Sequence, residues 1–301
     1  MPADSPETIT LHATGAVARR QAISRGSRYI LLAASLLGVA MLFVLGYITV
    51  VDGIGRISID FLTNYPSRFA DQAGLRSSAL GTIWVLGTTI VLAIPVAVGT
   101  AIWIEEFAPK NALLTFVKLN LANLAGVPSI IYGILGLAVF VRFADLGPSI
   151  LAGALTLTLM IIPMTVIASQ EAIKQVPPSI RQAALAVGAT QWQTVWYHVL
   201  PSALPGIITG VILSVSRAAG ETAALIMIGA FAFIAYDHSL NPGQALQDDF
   251  TTIPIQIYNW TIRPQEAFRA NAAAAIILLM VAVFALNLTA ALIRERFRRT
   301  F

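Results

Sequence analysis

The chain contains no cysteine among its 301 residues. Disulfides, thiolate nucleophiles and cysteine metal sites are therefore excluded. Charge is also scarce, at 11% of residues, where a soluble domain carries about 25%. A chain this poor in charge cannot cover a water-facing surface, so its exterior belongs in lipid or against partners. The three histidines, His12, His198 and His238, stand far apart, and none falls in an HExxH-type cluster. No metal site is expected from them. A phosphate-cradling G-x-x-x-x-G-K-[ST] loop is absent, and no glycine is followed by lysine. The chain therefore does not hold ATP in the usual way.

What is present is long apolar runs. About 20 apolar residues cross a bilayer core of roughly 30 Å. Five uncharged runs reach that length: Tyr29–Val51, Ala79–Ile104, Leu119–Val141, Leu146–Gln170 and Ala270–Ile293. A sixth, about Ser202 to Tyr236, is interrupted only by Arg217 and Glu221. The first run is too long for a signal-peptide core and ends at Asp52-Gly53, so it reads as a retained helix. The fold class predicted is an all-α integral membrane protein with about six transmembrane helices. Residues 1–28 read as a cytoplasmic tail, 29–74 as the first span and an external connector, 75–295 as the membrane core, and 296–301 as a second tail. Lysine and arginine favour the segments that are cytoplasmic when both termini lie inside. Those segments include Arg19, Arg20, Arg25, Arg28, Lys110, Lys118, Lys174, Arg181 and Arg294.

The loop 171–201 is the informative one. Pro177-Pro178 stops the incoming helix, and Ser179 with Gln182 offers a capping box for a new one. Ile180, Ala183, Ala184 and Val187 share a face at helical spacing. Gly188 is expected to end that helix with a positive φ. Thr190 and Gln193 offer a second capping box, and a second helix through Trp192, Val195, Trp196 and Val199 is expected to break at Pro201. Such a hairpin suits docking in a groove of another protein, or lying on a membrane surface. A DNA-binding helix-turn-helix has the same outline but needs basic groove-facing residues. The second helix here has none, so no nucleic acid is expected as partner.

Gln182-Ala183-Ala184, Gly188 and Leu200-Pro201 resemble the EAA motif of ABC importer permeases in spacing. Gln182 stands where that motif has glutamate, and His198 where it has isoleucine. The stretches 123–133, 216–224 and 255–260 further resemble phosphate-importer permeases of the PstA type, over roughly residues 75 to 295. The resemblance implies a type I importer permease fold in a bacterial or archaeal cytoplasmic membrane, with the 171–201 loop coupled to a separate ATPase. It implies inorganic phosphate as substrate. It implies a PstC-type sister permease, two PstB-type ATPase subunits holding ATP and Mg, and an external PstS-type phosphate-binding protein as partners, with membrane lipid around the complex. No cofactor is expected on this chain.

The last interrupted run carries the remaining chemistry. Gly206, Gly210, Ser214 and Ala218 lie four apart, a small-residue ridge for close helix packing. Arg217 and Glu221 are also four apart. Charges inside a span default to function. Arg217 is a forked donor for an oxyanion, with Glu221 one turn away to hold the fork; the bland alternative is a structural ion pair. Asn120, Asn123, Pro128 and Ser129 read as packing residues, with Pro128 kinking the third span. A permease for sulfate or molybdate is the near alternative. An intramembrane enzyme would need a nucleophile–base pair or metal ligands within the spans, and no histidine or cysteine lies there.

Overall fold

A computed structural model describes residues 15–231, 233–239 and 241–297. Most of the expected N-terminal tail, His12, Arg298 and Arg299 lie outside the described residues. Two units are distinguished, residues 1–51 and 52–301. The described residues of the first belong almost wholly to helix α1 (Ala16–Gly53), whose apolar surface carries no charged residue from Tyr29 to Val51.

The second unit is built around α5 (Ile150–Lys174). Its most apolar stretch is 67% buried, against 6% for α11 (Ala267–Phe297). The centre of the unit is therefore α5; α11 packs through its first turns, with Phe268, Ala272, Ala274 and Ala275 buried beside Phe61 and Trp260, and its later apolar stretch is largely exposed. Ser149 caps α5 by accepting from Ala152 N–H at 3.3 Å. Helix α2 (Arg76–Ile102, widening into a π turn Trp103–Phe107) runs parallel to α5. Val85 and Ala93 cluster with Ile150 and Leu157 at one end, and Ala97, Ala101 and Ile104 with Val166 and Ile173 at the other. Parallel neighbours require a crossing between them, which α3 (Ala112–Ala125) and α4 (Ser129–Gly136, continued by a π turn to Phe143) supply.

That crossing is broken rather than kinked. The two helices meet at 100°. Pro128 lacks an N–H and denies Val127 the α conformation, so the chain turns at Gly126-Val127. The freed groups find partners: Val127 N–H donates to Leu124 O at 3.1 Å, and so does the Tyr132 hydroxyl at 2.8 Å. Broken backbone at membrane depth needs this repair.

Helix α8 (Leu200–Ala219) packs antiparallel on α5 through the predicted small-residue ridge. A Cβ on Gly206 would lie 2.7 Å from that of Ala172, and one on Gly210 would lie 2.5 Å from that of Ala168. Only glycine lets the two backbones approach so closely. The sixth apolar run is not one span to Tyr236. Helix α8 stops at Ala219 because Gly220 follows, and the chain resumes as the short helix α9 (Ala223–Met227). The next helices are Pro242–Ala245, which is one turn long, and α10 (Ile253–Thr261).

The segment after α9 closes one end of the unit. Phe250 is buried against Gly153, and the Thr251 carbonyl lies against Gly81. The stretch 52–74 is more than a polar connector. Phe61 is fully buried against Trp260, and Arg56 donates to Asn271 Oδ1 at 2.7 Å and to the carbonyls of Ala70, Asp71 and Ala73.

Candidate functional site: two broken spans and a helical hairpin

The α3–α4 break and the α8–α9 break meet. Helix α9 packs on α4 so closely that a Cβ on Gly133 would sit 2.7 Å from Ala224 Cα. The segments 123–133 and 216–224, singled out in the sequence, are thus brought together. Arg217 lies at their edge. It is 16 residues beyond Pro201, about 24 Å along the helix, and within electrostatic reach of the Tyr132 phenol.

Arg217 and Glu221 do not form the ion pair that i,i+4 spacing suggested. Their spacing holds only if the helix continues, and α8 ends two residues after Arg217. Glu221 instead accepts from Ala224 N–H at 3.1 Å and so caps the start of α9. The Arg217 guanidinium lies against Met164 Sδ of α5 at 2.8 Å and remains exposed, and among the described residues no ion pair to a carboxylate is formed. A thioether is a weak acceptor and cannot neutralise it. Among the described residues Arg217 is therefore a forked cation without a carboxylate partner, beside the packing ridge rather than within it.

The loop 171–201 is a helical hairpin. Its first arm, α6 (Pro178–Ala186), starts with Pro177 at the cap position and Pro178 in the first turn. The expected Ser179–Gln182 capping box is absent, because Pro178 already fits the first turn, where its missing N–H costs nothing. At the other end the bend is as predicted. Gly188 has φ +88°, with its N–H bonded to Leu185 O at 3.0 Å, and Ala189 N–H bonded to Ala184 O at 3.1 Å. This is the Schellman arrangement, which strongly favours glycine. The Thr190–Gln193 capping box is formed and opens α7 (Gln191–Thr194).

Pro201 does not break the chain. A π turn, Val195–Val199, sends Leu200 N–H back five residues to Val195 O. This wider turn carries the helix past Pro201 into α8, so Gln191–Ala219 is one continuous helix. Leu200 and Pro201 are half-buried at its base, Gln182 and Ala183 are exposed, and Ala184 is buried. The hairpin's outer face is apolar: Leu185, Val187, Trp192, Trp196 and Tyr197 are all exposed. Trp192 and Trp196 stack at 5.9 Å, with Phe107 of α2 5.9 Å from Trp192.

Sequence reading missed what fastens this hairpin. Glu106 and Arg181 form an ion pair of 2.6 Å, with side chains only 9% and 25% exposed. Lys118 of α3 pairs with Glu105 at 2.8 Å. The available signal was two adjacent carboxylates closing an uncharged run. Elsewhere, Asp237 is held below its usual carboxylate range by the Arg76 guanidinium, whose Nε lies 2.8 Å away. Burial pushes the His238 imidazole below its ordinary value. Among the described residues no group of three potential metal ligands exists.

Comparison with known proteins gives this arrangement a family. The model for binding-protein-dependent transport system inner membrane components matches residues 93–299. The chain belongs to that family. Its relatives include the phosphate transport system permease protein PstA 1 of Mycobacterium tuberculosis, strain ATCC 25618 / H37Rv. That protein is 31% identical over 229 residues, covering 76% of this chain and 71% of the relative. The probable ABC transporter permease YqgI of Bacillus subtilis is 31% identical over 195 residues, covering 65% of this chain and 66% of YqgI. Among solved structures, a bacterial alginate ABC transporter matches with a TM-score of 0.61 at 18% identity, over 91% of this chain and 97% of that one. The MetNI methionine ABC transporter, in an inward-facing form, matches with a TM-score of 0.59 at 18% identity, over 73% and 95%. The type I importer permease fold expected from the sequence is thus the fold observed. The chain is an ABC importer permease subunit, an inner-membrane component that is not itself an enzyme.

Proposed function

We propose that this permease imports inorganic phosphate, driven by ATP hydrolysed on a separate ATPase that docks on the 171–201 hairpin. The observation that carries the reading is Arg217. A lone charge in the apolar belt costs several kcal/mol unless paired or hydrated, and among the described residues the only hydrogen bond of the Arg217 guanidinium is to the Met164 thioether. Its place is therefore an aqueous path or the seam with a sister permease. A guanidinium offers a planar donor fork that matches a tetrahedral oxyanion. The name of the Mycobacterium relative supports phosphate among the oxyanions. Glu221 is assigned a positioning role: by capping α9 it fixes the backbone beside Arg217.

The exposed apolar face of the hairpin supports the docking assignment, since contiguous exposed apolar surface marks an interaction site. Both termini and the hairpin are placed in the cytoplasm on the lysine and arginine bias. The full complex on this reading adds a sister permease, two ATPase subunits with their ATP and Mg, and an external phosphate-binding protein.

The test is phosphate uptake normalised to assembled complex. Arg217→Lys keeps the charge and loses the fork. With one charge-assisted contact worth about 1.5–3 kcal/mol, uptake should fall about tenfold or more. Arg217→Gln should abolish it. Glu221→Gln retains the capping oxygen and should transport normally. Near-normal transport by Arg217→Gln removes Arg217 from the pathway.

A further inference from the structure

Helix α2 ends in Glu105 and Glu106, and both arms of the hairpin grip that end. From the first arm, Arg181 Nε and Nη2 donate to the Glu106 carboxylate at 3.1 and 2.6 Å. The same guanidinium donates through Nη1 to Val176 O at 2.7 Å and through Nη2 to Ile173 O at 3.0 Å. Those carbonyls belong to the end of α5 and the turn just after it, and Ile173 O also accepts from Val176 N–H at 3.2 Å. From the second arm, the Gln191 side-chain amide donates to the Glu106 carbonyl, and Trp192 packs on Phe107. Beside them Glu105 receives Lys118 at 2.8 Å and Lys174 at 4.0 Å, adding α3 and a second link to α5.

The connection between α5 and α6 is otherwise short and non-helical, Gln175 to Pro177. Val176 of that connection is buried in one cluster with Ile173 and Val199, and the Arg181–Glu106 contacts add a polar bridge across the same short segment. No single-point cation does the same work. A lysine at 181 has one ammonium and no planar fork, so it cannot reach a carboxylate and two carbonyls in their present directions.

We propose that Arg181 and Glu106 form a rigid strut that makes the hairpin move as one body with the parallel pair α2 and α5. Force applied to the hairpin is then delivered to α2 and to α5, on which the ridge of α8 packs, instead of being absorbed by bending at 175–177. Both are positioning residues for transport. The proposal rests on the ATPase-docking reading of the hairpin given above.

Because the chain has no native cysteine, spin labels can be placed on Val96→Cys in α2 and Ala189→Cys in the hairpin. The pulsed electron-spin distance between them is measured in the assembled complex, nucleotide-free and ATP-bound. The strut predicts the same distance distribution in both states. It predicts that adding Arg181→Lys, or Glu106→Gln should the first variant not assemble, broadens the distribution and makes it nucleotide-dependent. A distance that changes with ATP in the parent, or that stays single and fixed in the variants, overturns the strut. The second readout is phosphate moved per ATP hydrolysed in proteoliposomes. Loss of the fork should lower this ratio about tenfold while ATP hydrolysis continues. An unchanged ratio overturns the strut. A parent complex that moves no phosphate with ATP refutes the docking or substrate reading instead, and the spin distances still judge the strut.

Discussion

Gly188 allows backbone strain to be separated from steric contact. Its φ is +88°, and a Cβ built on it meets nothing within 4 Å. A side chain there therefore collides with nothing in this chain, and its cost is conformational. For an ordinary L-residue in the left-handed region that cost is about 1–2 kcal/mol, and for a β-branched one it approaches about 3 kcal/mol. Since 1.4 kcal/mol is about tenfold in an equilibrium, Gly188→Ala should depopulate the native bend by about tenfold. Gly188→Val should depopulate it by about a hundredfold. Asparagine tolerates this region and should cost least. The assay is co-purification of the ATPase with the permease, scaled to permease in the membrane. The expected order of yield is Gly, Asn, Ala, Val. Normal yield and uptake with Gly188→Val would refute the bend as a requirement. Asparagine as damaging as valine would refute the strain argument, because it would mean that any side chain at this exposed position blocks docking.

Two other predictions concern topology and pH. Single cysteines at Gln247 and Ala186 are both exposed; a membrane-impermeant thiol reagent applied to intact cells should label Gln247→Cys and spare Ala186→Cys, and the reverse would overturn the orientation drawn from lysine and arginine. His238 has a lowered pKa because its buried ring disfavours the cation. The unfolded chain therefore binds the proton first as pH falls, so stability should hold above about pH 6.5 and decline below it. Melting temperatures of the purified complex at pH 7.5 and 5.5 should differ, and His238→Gln should shrink the difference; an unchanged difference would remove His238 as its source.

Hydrophobic length was the strongest signal in the sequence, and it placed the α1, α2, α5 and α11 spans well. It failed where a span is interrupted. The runs 119–141 and 202–236 are apolar throughout or nearly so, yet Pro128 and Gly220 end helices inside them. Hydropathy averages over a break that a single backbone position decides. The hairpin was legible because glycine and capping side chains act locally: Gly188 and the Thr190–Gln193 box are where the pattern put them. The Ser179 cap and the Pro201 break were misread because proline is acceptable in a first turn and a π turn accommodates it further on. The Arg217–Glu221 pair was misread for a related reason, since i,i+4 spacing means proximity only while the helix lasts. The Glu106–Arg181 contact joins residues 75 apart in sequence, and no local pattern reports such a meeting.

The most direct measurement of the central claim is uptake by a reconstituted complex. The chain would be assembled in proteoliposomes with its sister permease, ATPase and phosphate-binding protein, and labelled phosphate would be followed with and without ATP. The account predicts ATP-dependent accumulation of phosphate that excess sulfate or molybdate does not suppress. Accumulation that needs no ATP, or that sulfate or molybdate suppresses as well as unlabelled phosphate does, would contradict it.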